Sequence, residues 1–206
     1  MARRTKEEAE QTKEAILASA LDLFYEKGFA RTTFDEIAKR INLTKGAVYW
    51  HFRNKADLLA ELMRQKFQEK DSKTWAEKPQ ITTLSELREG FRIAAASIES
   101  DPDFCKFLFF IIFHMEWSEI ITNRIRQQIQ EIANYPWLKL KEKLTFIQKS
   151  GEIRPDVDID DLTALLSCMW RGTVDAFIAK RFPMNLSRSV LQGFDLMMDG
   201  LKVEKK

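Results

Sequence analysis

The sequence predicts an all-α protein, and three observations carry that reading. Glycine and proline are scarce, at seven and five in 206 residues. The apolar/polar alternation of a half-buried strand is hard to find. Apolar residues instead return at spacings of three and four along most of the chain. With 45% hydrophobic and 31% charged residues, the chain has the apolar mass for a real core and the polarity of a globular protein. Its length holds one large or two small domains.

The elements follow in order. A first helix is expected from about Thr5 to Lys27, with Ile16, Leu17, Ala20, Leu21 and Phe24 on one face and Gly28 as its left-handed stop. A second begins at Thr33, which makes a capping box with Glu36; Ile37, Ala38 and Ile41 form its inner face. Asn42 falls where a tight turn needs positive φ. Thr44 caps a short third helix ending near Phe52. Asn54 with Asp57 caps a fourth, whose stripe is Leu58, Leu59, Leu62, Met63 and Phe67. The polar run from Gln68 to Thr83, with Pro79, reads as a junction to a second domain.

Beyond the junction, Leu84, Leu87, Phe91, Ala94, Ala95 and Ile98 mark a fifth helix. Asp101-Pro102-Asp103 ends it and starts another, with Asp as N-cap and Pro at the first helical position. That helix, Phe104 to Trp117, holds five phenylalanines and is apolar nearly all round, so it must be buried or line a cavity. A helical pattern from about Ser118 to Lys149 breaks at Tyr135-Pro136 and closes at Ser150-Gly151. Two more helices follow, about Asp158 to Ala179 and about Ser187 to Val203. In the last, Val190, Leu191, Phe194, Met197, Met198 and Leu201 make a clean seam. Trp75 and Trp137 are uninformative.

Charge singles out one segment. The net charge is only +2, yet from Ile37 to Ala56 there are five basic residues, Lys39, Arg40, Lys45, Arg53 and Lys55, and no acidic ones. Two readings are open: an ordinary solvated helical hairpin, or a helix-turn-helix whose basic face meets the phosphate backbone and major groove of DNA. On the third helix, Thr44, Lys45, Gly46, Tyr49, Trp50 and His51 lie where the first turn and outer face would meet a duplex, and Ala47, Val48 and Phe52 point inward. A glycine near the helix start lets backbone approach DNA closely. Lys45 can reach guanine edges or phosphate, Tyr49 and His51 can donate to phosphate, and an aromatic can touch a thymine methyl. Lys55 stands at the next helix's N-terminus, where amides also favour anions.

Other classes fare poorly. There are two histidines, and no Ser-His-Asp arrangement, Walker loop, zinc spacing or glycine-rich dinucleotide turn; no enzyme, metal site or cofactor is expected. Asp156, Asp158, Asp160 and Asp161 are better explained by capping and dipole compensation than by a metal. Cys105 and Cys168 sit apart in apolar runs and read as buried thiols of a reducing cytosol. The opening MARRTKEEAEQTKEA lacks the apolar core of a signal peptide. The longest strictly apolar run, Phe107 to Phe113, falls far short of the roughly 20 residues of a membrane span. A cytoplasmic protein is expected.

The order T-x-x-x-I-A, a turn, T-K-G-x-x-Y-W-H-F and N-K-x-x-L-L resembles the DNA-binding domain of TetR-family transcriptional regulators. Thr33, Ile37, Ala38, Thr44, Lys45, Gly46, Tyr49, Trp50, His51, Phe52, Asn54, Lys55, Leu58 and Leu59 carry it, and it is strong over about residues 10 to 63. The family's usual Ala-Gly-Val turn is here Ile41-Asn42-Leu43. The opening residues and ESDPDFCKFLFFIIFHMEW are similar to the efflux-pump repressor branch, and GEIRPDVDIDDLTALL more weakly so; in that branch the basic arm, here Arg3 and Arg4, adds DNA contacts.

The resemblance implies an N-terminal helix-turn-helix DNA-binding domain over 1–55, a connecting helix over 56–70, and a larger helical ligand-binding and dimerisation domain over 71–206. It implies a homodimer through the last two helices, a palindromic double-stranded operator, and a small hydrophobic effector whose binding releases the DNA. The DNA-contact set is Thr33, Thr44, Lys45, Gly46, Tyr49, Trp50, His51 and Lys55. Candidate pocket liners are Phe107, Phe110, His114 and Trp117, with Met169, Trp170 and Phe177 opposite. For most of these, plain core packing is the competing reading. His114 reads as a satisfied core histidine or a ligand contact, and Glu116 as a partner for a cationic ligand or a solvated side chain.

Overall fold

The computed structural model describes residues 6–71, 81–115 and 139–201. Among them the helices are α1 (Lys6–Lys27), α2 (Phe34–Arg40), α3 (Lys45–His51), α4 (Lys55–Asp71), α5 (Leu84–Glu99), α6 (Pro102–Phe109, continued by a π-helical turn, Phe110–His114), α7 (139–149), α8 (Ile159–Ile178) and α9 (Leu186–Asp199). The chain divides into two compact units: residues 6–66 with 106–115, and the remaining described residues. Trp75, Trp117, Glu116, Trp137, the Tyr135-Pro136 break and the Arg3–Arg4 arm lie outside the described residues.

In the first unit the expected caps form. Gly28 takes φ 85° and donates its amide to the Phe24 carbonyl at 2.9 Å, closing α1. Thr33 and Glu36 make the full capping box of α2. The Thr44 hydroxyl accepts from the Ala47 amide, and the Asn54 Oδ1 accepts from the amides of Ala56 and Asp57. Ile16, Phe24, Ile37, Val48, Leu58, Leu59 and Leu62 are buried together as the core. Phe110, from the π-helical turn, completes it by stacking on Phe24 at 5.0 Å. The buried Ser19 hydroxyl donates to the Ile37 carbonyl and ties α1 to the end of α2.

Asn42 holds φ 55° between α2 and α3, and the Leu43 amide donates back to the Ala38 carbonyl at 2.9 Å. A left-handed residue costs about 1–2 kcal/mol unless it is Gly, or Asn or Asp with local hydrogen bonding. Asn42→Ala is therefore expected to destabilise by about 1–2 kcal/mol and Asn42→Gly by much less. Urea unfolding of the two variants checks this; equal losses would sink it.

In the second unit α5 lies against α9, and α8 also packs on α9. Thr83 and Glu86 form another capping box, and Leu84, Leu87, Phe91, Ala94, Ala95 and Ile98 are buried as expected. Phe91 meets Phe194 at 5.4 Å and Trp170 at 5.7 Å. The Arg88 guanidinium holds both oxygens of Asp195 at 2.7 and 2.8 Å. Glu99, from the last turn of α5, caps α9 by accepting from the Leu186 amide. Asp158 caps α8 through the amides of Asp160 and Asp161, so the acidic run does what capping requires. Among the described residues no group of three metal-ligating side chains assembles, and no helix is long and apolar enough to cross a membrane.

The thiols differ from expectation. Cys105 is half-buried, with Sγ 3.3 Å from the Ile98 carbonyl, and Cys168 is exposed. An apolar run on an amphipathic helix still turns some residues outward, and Cys168 is on the outer side of α8.

Candidate nucleic-acid interface

Helix α3 is fastened from beneath and bare above. Val48 and Phe52 are buried, fixing the helix on the core. On the other side Thr44, Lys45, Gly46, Tyr49 and Trp50 are exposed. Trp50, 74% exposed, is the most open large hydrophobic side chain among the described residues, and Tyr49 is 51% exposed. An exposed aromatic pair on a short polar helix costs solvation and suits a surface that is covered on binding. Tyr49 is held edge-on to Phe34 at 5.0 Å, and the Lys45 ammonium lies 5.7 Å from the Tyr49 ring centre. Trp50 stands edge-on to His51 at 4.6 Å, with His51 half-buried. A Cβ on Gly46 would meet nothing nearer than 3.8 Å, so nothing among the described residues requires glycine there.

The remaining contact candidates are differently employed. Thr33 gives its hydroxyl and amide to Glu36, at 2.8 and 2.9 Å. It therefore shapes the first turn of α2. The Lys27 ammonium, with Thr33, holds the Glu36 carboxyl down to about 2. Lys55 turns inward: its ammonium donates to the carbonyls of Phe29 and Ala30 at 2.8 and 3.0 Å and rests 4.7 Å from the Phe29 ring centre. Burial pulls its pKa below the ordinary lysine value. Lys55 stands at the N-terminus of α4 as expected, and the loop after α1 brings two carbonyls within reach of its ammonium.

The basic face is also less unopposed than its sequence. Arg40 is forked onto Glu26 of α1 at 2.8 and 2.6 Å, and Lys39 pairs with Asp35 at 2.7 Å. Asp35 lies just before the segment that carries no acid of its own, and Glu26 comes from α1. Among the described residues, Lys45 and Arg53 meet no ion-pair partner. Arg53 is readable from sequence as one of the five cations, but only the burial of Phe52 and the capping by Asn54 mark it as outward.

The described pocket candidates are divided between the two units. Phe107 and Phe110 are fully buried in the first unit, where α6 and its π-helical turn lay them on the core with Phe24; they are core residues. The His114 Nδ1 is 3.0 Å from the Tyr25 carbonyl, and its ring meets Phe109 edge-on at 4.9 Å, the satisfied histidine of the competing reading. Beside it, an open cleft of about 300 Å³ is lined by Lys27 to Arg31 and by Phe113, His114 and Met115. Met169, Trp170 and Phe177 are half-buried on α8 in the second unit. Met169 packs on Gly193, where a Cβ would fall 2.9 Å from its sulfur. On the outer faces, Leu165 of α8 is 57% exposed and Leu196 of α9 is 72% exposed.

Residues 16–62 match the model of the bacterial regulatory proteins of the tetR family. Over 63 residues the chain is 51% identical to the HTH-type transcriptional regulator TtgR of Pseudomonas putida, a match spanning 31% of this chain and 30% of that relative's length. It is 27% identical over 211 residues to the probable acrEF/envCD operon repressor of Escherichia coli, covering 95% of this chain and 84% of the relative. The complex of triclosan with SmeT, the repressor of the Stenotrophomonas maltophilia efflux pump SmeDEF, superposes with a TM-score of 0.72. That likeness covers 94% of this chain and 93% of SmeT at 24% identity, which shows a shared fold.

Proposed function

From the match of residues 16–62 to the tetR-family model and the likeness over 95% of the chain to an operon repressor, we propose that this chain is a dimeric repressor of that family that leaves its operator when a small hydrophobic molecule binds. The observation that carries the reading is the outer face of α3: Lys45, Gly46, Tyr49 and Trp50 exposed above a buried Val48. Such a face offers cation, hydroxyl and aromatic edge to the major groove, and Thr44 keeps a hydroxyl proton for phosphate. One unit reads one half-site. A two-fold pair reads two, about one helical turn apart or a multiple of that. The apolar side chains Leu165 and Leu196, open on the last two helices, support pairing through them.

In this proposal residues 1–55 bind DNA, 56–70 connect, and 71–206 hold effector and dimer contacts, with 106–115 folded onto the DNA-binding unit. Met169, Trp170 and Phe177 are the described candidates for the effector site, and the SmeT complex with triclosan supports an aromatic, hydrophobic ligand class. The effector acts only through its different affinity for the DNA-bound and released states. The likeness to SmeT, the repressor of a multidrug efflux pump, supports control of such a pump, exercised in the cytoplasm.

The test is a fluorescence anisotropy titration with the DNA upstream of the gene, a scrambled competitor and a panel of hydrophobic compounds. Competitor-resistant binding weakened by a compound is the expected result. Lys45→Ala and Tyr49→Ala should each cost about 1–3 kcal/mol of specific affinity, roughly 5- to 150-fold. Full binding by both variants would defeat the assignment of α3.

A further inference from the structure

We infer that the cleft between the loop after α1 and the π-helical turn is a second ligand site, for a small aromatic carboxylate, separate from the effector candidates of α8. Two segments line it, Lys27 to Arg31 and Phe113 to Met115, both of the first unit. They approach closely where a Cβ on Gly28 would lie 3.7 Å from the His114 carbonyl. The volume is about 300 Å³. That stands at the lower end for small-molecule sites and suits one ring with one charged group.

The loop offers anion chemistry because its carbonyls are occupied and its amides are not. The Gly28 carbonyl accepts from the Thr32 hydroxyl, and the Lys55 ammonium takes the carbonyls of Phe29 and Ala30. A trans peptide unit points its N–H opposite to its C=O. The amides of Phe29, Ala30 and Arg31 therefore face away from those partners, and among the described residues they donate to no acceptor. An ammonium on a carbonyl polarises the whole peptide unit, so Lys55 makes the Ala30 and Arg31 amides stronger donors. Successive backbone amides in a turn make an anion-binding concavity.

Arg31 adds the charge. Its Nε donates to the Lys27 carbonyl at 2.8 Å, which fixes the stem, and its two terminal nitrogens meet no acceptor among the described residues. That pair is a fork matched to a planar carboxylate. Lys27, the other cation of the cleft, is held by Glu36. The facing segment supplies the ring contact. Phe113 is 38% exposed and set against Phe109 at 5.2 Å, and the His114 ring is fixed by Phe109 and by the Tyr25 carbonyl. A half-open ring already held in place gives an apolar plate at little ordering cost.

The experiment titrates the full-length, isotope-labelled chain with benzoate and follows its backbone amide resonances. Benzyl alcohol is the uncharged analogue, and acetate is the anion without a ring. Benzoate should move the Ala30 and Arg31 amides saturably, and each control should bind there about tenfold more weakly or worse. Arg31→Gln should lower benzoate affinity by roughly 10- to 150-fold, and Arg31→Lys by less. Phe113→Ala should lower it by roughly 2- to 12-fold. Both side chains are exposed, so these variants should fold. No saturable shift at positions 29–31, a shift that survives Arg31→Gln, or equal binding of benzyl alcohol overturns the inference. A response confined to positions 169–177 also overturns it, by assigning the acid to the effector candidates, and leaves the DNA-binding reading standing.

Discussion

Truncating Phe24 to alanine is expected to destabilise the protein by about 3–5 kcal/mol. Its ring is fully buried and sits between Phe29 at 5.4 Å and Phe110 at 5.0 Å. The loss has two parts: the apolar area of a phenyl ring, and a cavity walled by α1, the following loop and the π-helical turn, whose backbones are each fixed elsewhere and cannot collapse to fill it. For a chain of this size the melting midpoint should fall by roughly 6–20 °C, read by far-ultraviolet circular dichroism. Trp50→Ala is the matched control. A 74% exposed ring contributes within about 0.5 kcal/mol to stability, so this variant should melt like the wild type and bind DNA poorly. A Phe24→Ala shift no larger than that of Trp50→Ala would show that Phe24 does not hold the unit together.

The second large effect is with pH. Glu61 of α4 accepts from the Arg64 guanidinium at 2.8 and 2.6 Å and pairs with Lys13 of α1. These two cations, Arg64 first, hold its carboxyl at about 2 against an ordinary 4.5, despite partial burial. A depressed folded-state pKa contributes stability that is fully present above the unfolded value and is lost as pH falls through the folded one. The window is therefore from about pH 4.5 down to about 2. The stake is on the order of 2–3 kcal/mol, since each pKa unit is about 1.4 kcal/mol and solvent screens part of the pairing. Glu61→Gln should flatten the loss of stability across that window and cost most at neutral pH, where the wild-type pair is intact. Urea midpoints at pH 7, 4 and 3 measure it. Parallel curves for both proteins would remove the Lys13–Glu61–Arg64 cluster from the acid response.

What is legible in the sequence is what local chemistry decides. The Thr33–Glu36 box, the Asn42 turn, the Thr44 and Asn54 caps and the Pro102 start depend on residues at most four apart, and each forms. The buried stripe of α5 follows from its period alone. The same Thr-x-x-Glu signature stands at Thr83 and Glu86 and is open to the same rule. What is not legible depends on which distant segments meet. No spacing connects Phe110 to Phe24, so the phenylalanine-rich helix reads as buried core or as a cavity wall without saying which, and the structure buries Phe107 and Phe110 in the first unit. No spacing connects Lys55 to the Phe29 carbonyl, so a lysine at a helix N-terminus reads as a phosphate contact. Nothing in FFIIFH distinguishes a π-helical turn from a continued α-helix.

The fastenings of the first unit converge on α1. Glu26 and Lys27 reach α2, Ser19 reaches the end of α2, Lys13 reaches α4, and Asp22 reaches Lys106 of α6. These pins spare positions 45, 46, 50 and 53 of the outer face. Selection for folding is therefore nearly blind to those four positions, while a change in α1 is felt by three neighbouring helices at once. On the proposed reading of α3, a duplicated copy of this chain gains a new operator preference by substitutions at the outer face, at little cost to folding.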